Sequence, residues 1–285
     1  MKNTGKKKET VMKYVFLVAA AINVLCVALI CVFLFANGFP AMAKIGPLKF
    51  LLGTEWRPGN DIYGIAPMIL GSLYVTAGAI LIGVPLGVLT AIFLAKFCPD
   101  GLYRFFRPAV SLMAGIPSII YGFFGLVLLV PITRNVFGTG KSILTASILL
   151  GIMILPTVIS VSETAIRAVP SSYYEGSLAL GSTHEKSVFF AVVPPAKSGI
   201  LTAVVLGIGR AVGETMAVIM IAGNQAIMPE SVVKGVRTLT ANIVIEMGYA
   251  ADLHREALIA TAVVLFIMIL LINLLLSLVK KEKKA

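Results

Sequence analysis

The residues best placed for chemistry are Arg210 and Glu214, because both sit inside an otherwise apolar stretch, Gly199–Ala222. A charged side chain at the centre of a bilayer costs on the order of 2.5–3.5 kcal/mol on insertion scales, so such residues face a protein interior or a wet pathway. A spacing of four residues places the two on one face of a continuous helix. Pairing offsets part of the cost, yet a pair of leucines would avoid it. Two readings stay open: an ion pair that fixes the orientation of the helix, or a role in substrate passage. The second has a physical logic. An oxyanion crossing hydrocarbon needs a positive charge on its route, and a guanidinium offers a planar fork of donors that fits phosphate oxygens. Glu214 would then hold Arg210 when no substrate is present, with the Thr215 hydroxyl nearby. Gly209 and Gly213 form a GxxxG step on the adjacent face, which lets another helix approach closely.

The elements that carry these residues follow from hydropathy. The 285 residues are 58% apolar and 13% charged, against about 45–50% and about 25% in soluble domains. A transmembrane helix needs roughly 20 apolar residues. Six stretches qualify: Val15–Phe35, Met68–Leu94, Pro108–Ile132, Ile143–Val161, Gly199–Ala222 and Ala257–Val279. The expectation is an all-α polytopic membrane protein. Its parts are a basic N-tail (1–13), a first helix with its outer loop (14–66), a five-helix unit (67–279) and a basic C-tail (280–285). With both ends cytoplasmic, 15 of the 24 basic residues fall inside and eight outside, as the positive-inside rule requires. The net charge of +11 therefore signals topology and contact with anionic lipid, not nucleic acid. Ala41-Met42-Ala43 after the first apolar run resembles a signal-cleavage pattern. The run is about twice the length of a signal core, so we read an uncleaved helix. Cys26, Cys31 and Cys98 form neither a disulfide framework nor a metal cluster and read as buried small apolar residues.

Three connections are long: two outer loops of similar size, Ala36–Pro67 and Gln225–Glu256, and one inner segment. The outer loop Ala36–Pro67 carries Trp56 and Tyr63, expected as interfacial anchors. The inner segment at about 163–198 has helix signals of its own. Pro170 precedes a capping box of Ser172 and Glu175, opening a short helix that Gly181 should end in the left-handed conformation. Ser182-Thr183-His184-Glu185 repeats the box and opens a second short helix, which Pro194 and Pro195 should stop. A pair of ordered, nearly neutral cytoplasmic helices reads as a docking surface.

Two motifs mislead. Gly138-Thr139-Gly140-Lys141-Ser142 ends like a phosphate-binding P-loop, but Asn135 stands where the first Gly belongs. Gly207-Ile208-Gly209 lacks the third Gly of a dinucleotide fingerprint. His184 and His254 fall on opposite sides of the membrane, and no nucleophile–base or metal set emerges. The chain reads as a non-catalytic subunit without a cofactor, energised by a partner or a gradient.

The inner segment resembles the coupling segment of binding-protein-dependent ABC importers: Glu175, Gly181 and Pro194 keep that family's spacing, with Gly176-Ser177, Ala191 and Val193 as departures. The run Gly209-Arg210-Ala211-Val212-Gly213-Glu214-Thr215-Met216-Ala217-Val218, with Ala222-Gly223-Asn224 after it, is similar to the signature of PstC-type phosphate permease subunits. Ala114-Gly115-Ile116-Pro117-Ser118-Ile119-Ile120-Tyr121-Gly122-Phe123-Phe124-Gly125 resembles the same family, and Met216-Ala217 favours it over the PstA type. The resemblance implies the type I ABC importer permease fold. It implies a heterodimer with a PstA-type subunit, a cytoplasmic PstB-type ATPase dimer and an extracytoplasmic PstS-type phosphate-binding protein. It also implies that the segment Ser172–Pro194 docks the ATPase, and that alternating access moves the Arg210 face from outside to inside. A secondary transporter or oxyanion channel, or an ABC permease for sulfate or molybdate, remains the alternative.

Overall fold

The computed structural model describes residues 2–282, with side chains described for residues 9–275. The basic tails expected to set topology fall largely outside the latter range. In chain order the elements are α1 (Lys2–Ile45), α2 (Pro47–Leu52), a hairpin of β1 (Trp56–Arg57) and β2 (Ile62–Tyr63), α3 (Ala66–Ile92), α4 (Asp100–Gly115), α5 (Ser118–Phe124), α6 (Val130–Phe137), α7 (Ile143–Arg167), α8 (Ser171–Ala179), α9 (His184–Lys186), α10 (Val193–Gly213), α11 (Met216–Ile221), α12 (Leu239–Glu246) and α13 (Asp252–Glu282). The strands pair antiparallel, Trp56 opposite Tyr63. Among the described residues, six helical runs are long and apolar enough to cross a membrane.

The centre of the bundle is α7, the most buried span, packed along α3. Without a hydrophobic drive between helices in lipid, close backbone approach supplies the packing energy. A Cβ on Gly83 would lie 2.6 Å from the Gly151 carbonyl oxygen, and one on Gly87 would lie 2.7 Å from Val158 Cγ1. Val75, Ala79, Leu150, Ile154 and Val158 fill the seam. The segment that mimics a P-loop is the turn into α7. Gly138 ends α6 in the left-handed region, and the Ser142 hydroxyl caps α7 by accepting from the Thr145 N–H at 3.2 Å.

Four boundaries depart from the sequence reading. The first helix runs through Pro40 to Ile45, well beyond Phe35, so the outer loop is shorter than expected. The third stretch is not one span. Ile116 is extended because a following proline disfavours the helical region, and Pro117 starts α5. The Tyr121 hydroxyl bridges the break by donating to the Met113 carbonyl at 2.9 Å. The crossing then covers Ser118–Phe137 and includes a π-turn at Gly125–Leu129. The fifth stretch breaks at Glu214. Pro194 and Pro195 do not stop the second inner helix: α9, a π-turn over Ser187–Val192 and α10 form one run, His184–Gly213. The prolines occupy the first turn of α10, where a missing N–H is tolerated, behind a π-turn that loosens the preceding backbone.

Candidate functional site

Arg210 and Glu214 do not share a helical face. Gly213 is the last residue of α10, and Glu214 is extended, with ψ at 128°. The Glu214 carboxylate folds forward instead, and Oε1 accepts from the backbone N–H groups of Thr215 and Ala217, each at 3.2 Å. It therefore serves the exposed amide end of α11. The Thr240 hydroxyl holds the break from outside by donating to the Glu214 carbonyl at 3.2 Å. Thr215 spends its own hydroxyl on the Gly213 carbonyl at 3.3 Å. Arg210 points to α7 and donates from Nη1 to Thr157 Oγ1 at 3.4 Å. Among the described residues no ion pair joins Arg210 to Glu214. The expected i,i+4 pair fails because the helix that would have created it ends between its members. Both side chains are half-buried.

The two segments that carried the phosphate-permease resemblance meet here. A Cβ on Gly122 would lie 2.9 Å from the Ala217 Cα, so α5 and α11 touch through their backbones. After α11, Gly223 and Asn224 turn the chain with φ of +93° and +54°. Gly209 and Gly213, expected to admit a neighbouring helix, have nothing within 4 Å of a built Cβ and face outward.

The capping role of Glu214 gives a first expected result. Glu214→Ala should destabilise the purified assembly by about 1 kcal/mol, the usual cost of losing an N-terminal cap. Glu214→Gln keeps an oxygen acceptor and should unfold close to the parent temperature. Equal losses in both variants, measured by thermal unfolding in detergent, would instead indicate that the negative charge matters.

Sequence reasoning missed two buried carboxylates. The fourth span was drawn to end at Val161, two residues short of Glu163. In the structure α7 continues to Arg167, and the Glu163 side chain is only 3% exposed. Its Oε1 accepts from Arg167 Nε and from the Tyr103 hydroxyl, both at 2.8 Å, and Arg107 Nε approaches Oε2 at 3.4 Å. Arg167 also donates to the Leu94 carbonyl at 2.8 Å and stacks on the Tyr103 ring. These contacts tie α4 and the end of α3 to α7.

The second missed carboxylate is Glu246, at the opposite end of the bundle. It pairs with Arg237 and accepts from Trp56 Nε1 at 2.8 Å, and its Oε2 also lies 2.8 Å from His254 Nε2. Trp56 and Tyr63 are therefore not interfacial anchors. They are 7% and 4% exposed and belong to the core beneath the hairpin. Burial, then the hydrogen bond to Asp61, lifts the Tyr63 phenol above its ordinary range, so it stays a donor.

The α8 segment has the exposed form expected of a docking element. No residue of α8 is buried, Glu175 is exposed, and Leu180 and Phe190 are 90% and 80% exposed. Gly181 has φ +84°, as expected. Its N–H donates to the Leu178 carbonyl at 2.8 Å, and the Ser182 N–H donates to the Ser177 carbonyl at 3.2 Å. This is the Schellman pattern of helix termination. The Ser172–Glu175 capping box is not formed. Pro170 takes the cap position, placing Ser172 inside the helix, and no side chain caps it. The second box slides by one residue, with Thr183 as the cap of α9. Tyr174 and His184 join the two short helices through a 2.7 Å contact between the hydroxyl and Nδ1.

Residues 83–283 match the binding-protein-dependent transport system inner membrane component family. The chain belongs to this family. A probable ABC transporter permease protein, YqgH of Bacillus subtilis strain 168, is 39% identical over 84% of this chain and 80% of its own length. The phosphate transport system permease protein PstC of Mesorhizobium japonicum is 36% identical over 89% of this chain and 84% of its own. The PstC of Haemophilus influenzae is 32% identical over 94% and 91%. Among solved structures, a chain of the MetNI methionine ABC transporter aligns with a TM-score of 0.61 at 22% identity, covering 80% of this chain and 99% of that one. A bacterial ABC transporter that imports alginate aligns at 0.59 and 14% identity, over 93% and 96%. The fold is that of type I ABC importer membrane subunits. The matched residues include α8 and the Arg210 region.

Proposed function

We propose that this chain is the membrane permease subunit of an ATP-driven, binding-protein-dependent importer of inorganic phosphate, with Arg210 on the substrate path. One observation carries this reading. Arg210 lies in the last turn of α10, beside the break before α11, and hydrogen-bonds to a hydroxyl, while the nearby Glu214 carboxylate is engaged with backbone amides. Its charge is thus available to a passing oxyanion. The relatives named as phosphate transport permeases supply the choice of anion. The coupling element is α8 with Glu175, Ser172 and the Gly181 stop, followed by Pro194 at the start of α10. Leu180 offers an apolar side chain to a groove of a cytoplasmic ATPase dimer of the PstB type. A PstA-type subunit completes the path and covers the outward face of Gly209 and Gly213. A PstS-type binding protein delivers phosphate from the other side, both termini being cytoplasmic. The residues from 67 to 279 form the transporting unit, with α1 as an added crossing.

Affinity purification of this chain from membranes tests the assembly. A P-loop ATPase and a second permease should co-purify, and deleting Ser171–Ala179 should release the ATPase alone. Purification without any ATPase, in conditions that retain the second permease, would remove the proposal.

A further inference from the structure

The exposed side of α7 carries a lane of hydroxyls. Thr157, Ser160 and Thr164 are three and then four residues apart, and none is buried. At 3.6 residues per turn they fall within about 60° of one another around the helix. Thr157 accepts from Arg210 at 3.4 Å. Ser160 accepts from Arg107 Nη1 at 3.1 Å, and Arg107 Nη1 also reaches Ser111 Oγ at 3.5 Å. The two anchoring hydroxyls are separated by about 4.5 Å of helical rise. Two guanidiniums from different helices, α10 and α4, are thus moored on one lane, Arg107 nearer the α8 end.

The charge along this lane is not balanced. Arg107 and Arg167 share a single carboxylate, Glu163. Arg167 and Tyr103 saturate Oε1 at 2.8 Å each, and Arg167 is further held by the Leu94 carbonyl. Oε2 has no hydrogen bond, since Arg107 Nε stands off at 3.4 Å. Arg167 therefore accounts for most of the neutralisation of Glu163. Arg107 keeps surplus positive charge with 34% of its side chain exposed. Arg107 lies on α4, outside the six membrane-crossing runs, where water or a second subunit can stabilise that charge. Conduction also favours several weak sites in series, because one tight site would trap its ion.

We propose that Arg107, with Ser160 and Ser111, forms a second oxyanion station that receives phosphate from Arg210 on its way to the α8 end. The proposal rests on the reading of Arg210 as the first station. It assigns Arg107 to phosphate and leaves the tethering of α4 mainly to Tyr103, through its bond to Glu163.

The test is uptake of radiolabelled inorganic phosphate by the assembled transporter. Arg107→Gln should lower uptake by about tenfold or more, the scale of one lost charge-assisted hydrogen bond with its attraction. Arg107→Lys should lose less. Arg107→Gln should still co-purify the second permease and the ATPase in parent amounts, because Arg167 and Tyr103 keep their bonds to Glu163. Normal uptake in Arg107→Gln, or a loss of uptake no larger than its loss of assembled transporter, overturns the proposal. Should Arg107→Gln fail to assemble, a second measurement decides. Ser160→Cys, in a chain with Cys26, Cys31 and Cys98 replaced by Ala, should react with a small charged thiol reagent, and millimolar phosphate should slow the reaction. Labelling at position 160, read by mass spectrometry, that is absent in every nucleotide state or indifferent to phosphate also overturns it. Lost uptake in Arg210→Ala beside normal uptake in Arg107→Gln removes only the second station. Normal uptake in Arg210→Ala removes the first.

Discussion

Arg210→Ala is expected to lower ATP-driven phosphate uptake by roughly 100-fold, as removal of about 3 kcal/mol of charge-assisted hydrogen bonding implies. The assembled transporter should persist. Among the described residues Arg210 hydrogen-bonds to Thr157 at 3.4 Å and does not hold Glu214, so little of the local structure depends on it. Had the side chain been the structural half of an ion pair, its removal would have stranded a buried carboxylate at a cost of about 3–5 kcal/mol. Arg210→Lys keeps the charge but loses the planar fork, and about tenfold loss is expected. Uptake is best scaled to the amount of co-purified ATPase, which separates failed transport from failed assembly. Parent-level uptake in Arg210→Ala would contradict the assignment.

The second large effect is expected at Gly181. Its φ of +84° lies in the left-handed region, where a β-branched side chain costs about 1–3 kcal/mol. Gly181→Val would also pull Ser182 away from the Ser177 carbonyl and reorient Leu180. Little else should change, because a built Cβ at this position meets nothing within 4 Å. Uptake should therefore fall by about tenfold or more while the membrane subunits still fold and pair, since the strain of about 1–3 kcal/mol is confined to the elbow. ATP hydrolysis should lose its response to loaded binding protein. Gly181→Ala, without the branch, should fall between the two. Coupled hydrolysis and uptake at parent levels in Gly181→Val would remove the docking role.

The membrane spans and the α8 elbow were legible because their signals are local. Hydropathy marks a crossing regardless of its neighbours, and Gly181 marks the end of α8 because only glycine adopts its backbone cheaply. The break at Glu214 was not legible. Apolar residues on both sides, Ala211 and Val212 before it and Met216 to Val218 after it, read as one helix, and the Thr240 hydroxyl that stabilises the alternative comes from 26 residues away. Pro194 and Pro195 misled in the opposite direction, because nothing local announces the π-turn that receives them. Trp56 illustrates a third kind of miss. An aromatic residue in a Gly- and Pro-rich loop looks interfacial until Glu246, 190 residues away, supplies a buried partner for its indole N–H. Glu163 was within reach of the sequence, since helical hydropathy near Ser162 continues to a carboxylate flanked by Arg167 at four residues.

Proteoliposomes containing the complete transporter, loaded with ATP on the α8 side and given phosphate with its binding protein on the other, test the central claim most directly. Phosphate should accumulate in step with ATP hydrolysed, with no ion gradient present, and Arg210→Ala should hydrolyse ATP while accumulating almost none. Accumulation that follows a proton or sodium gradient with ATP withheld, or equal accumulation by Arg210→Ala, would contradict the account.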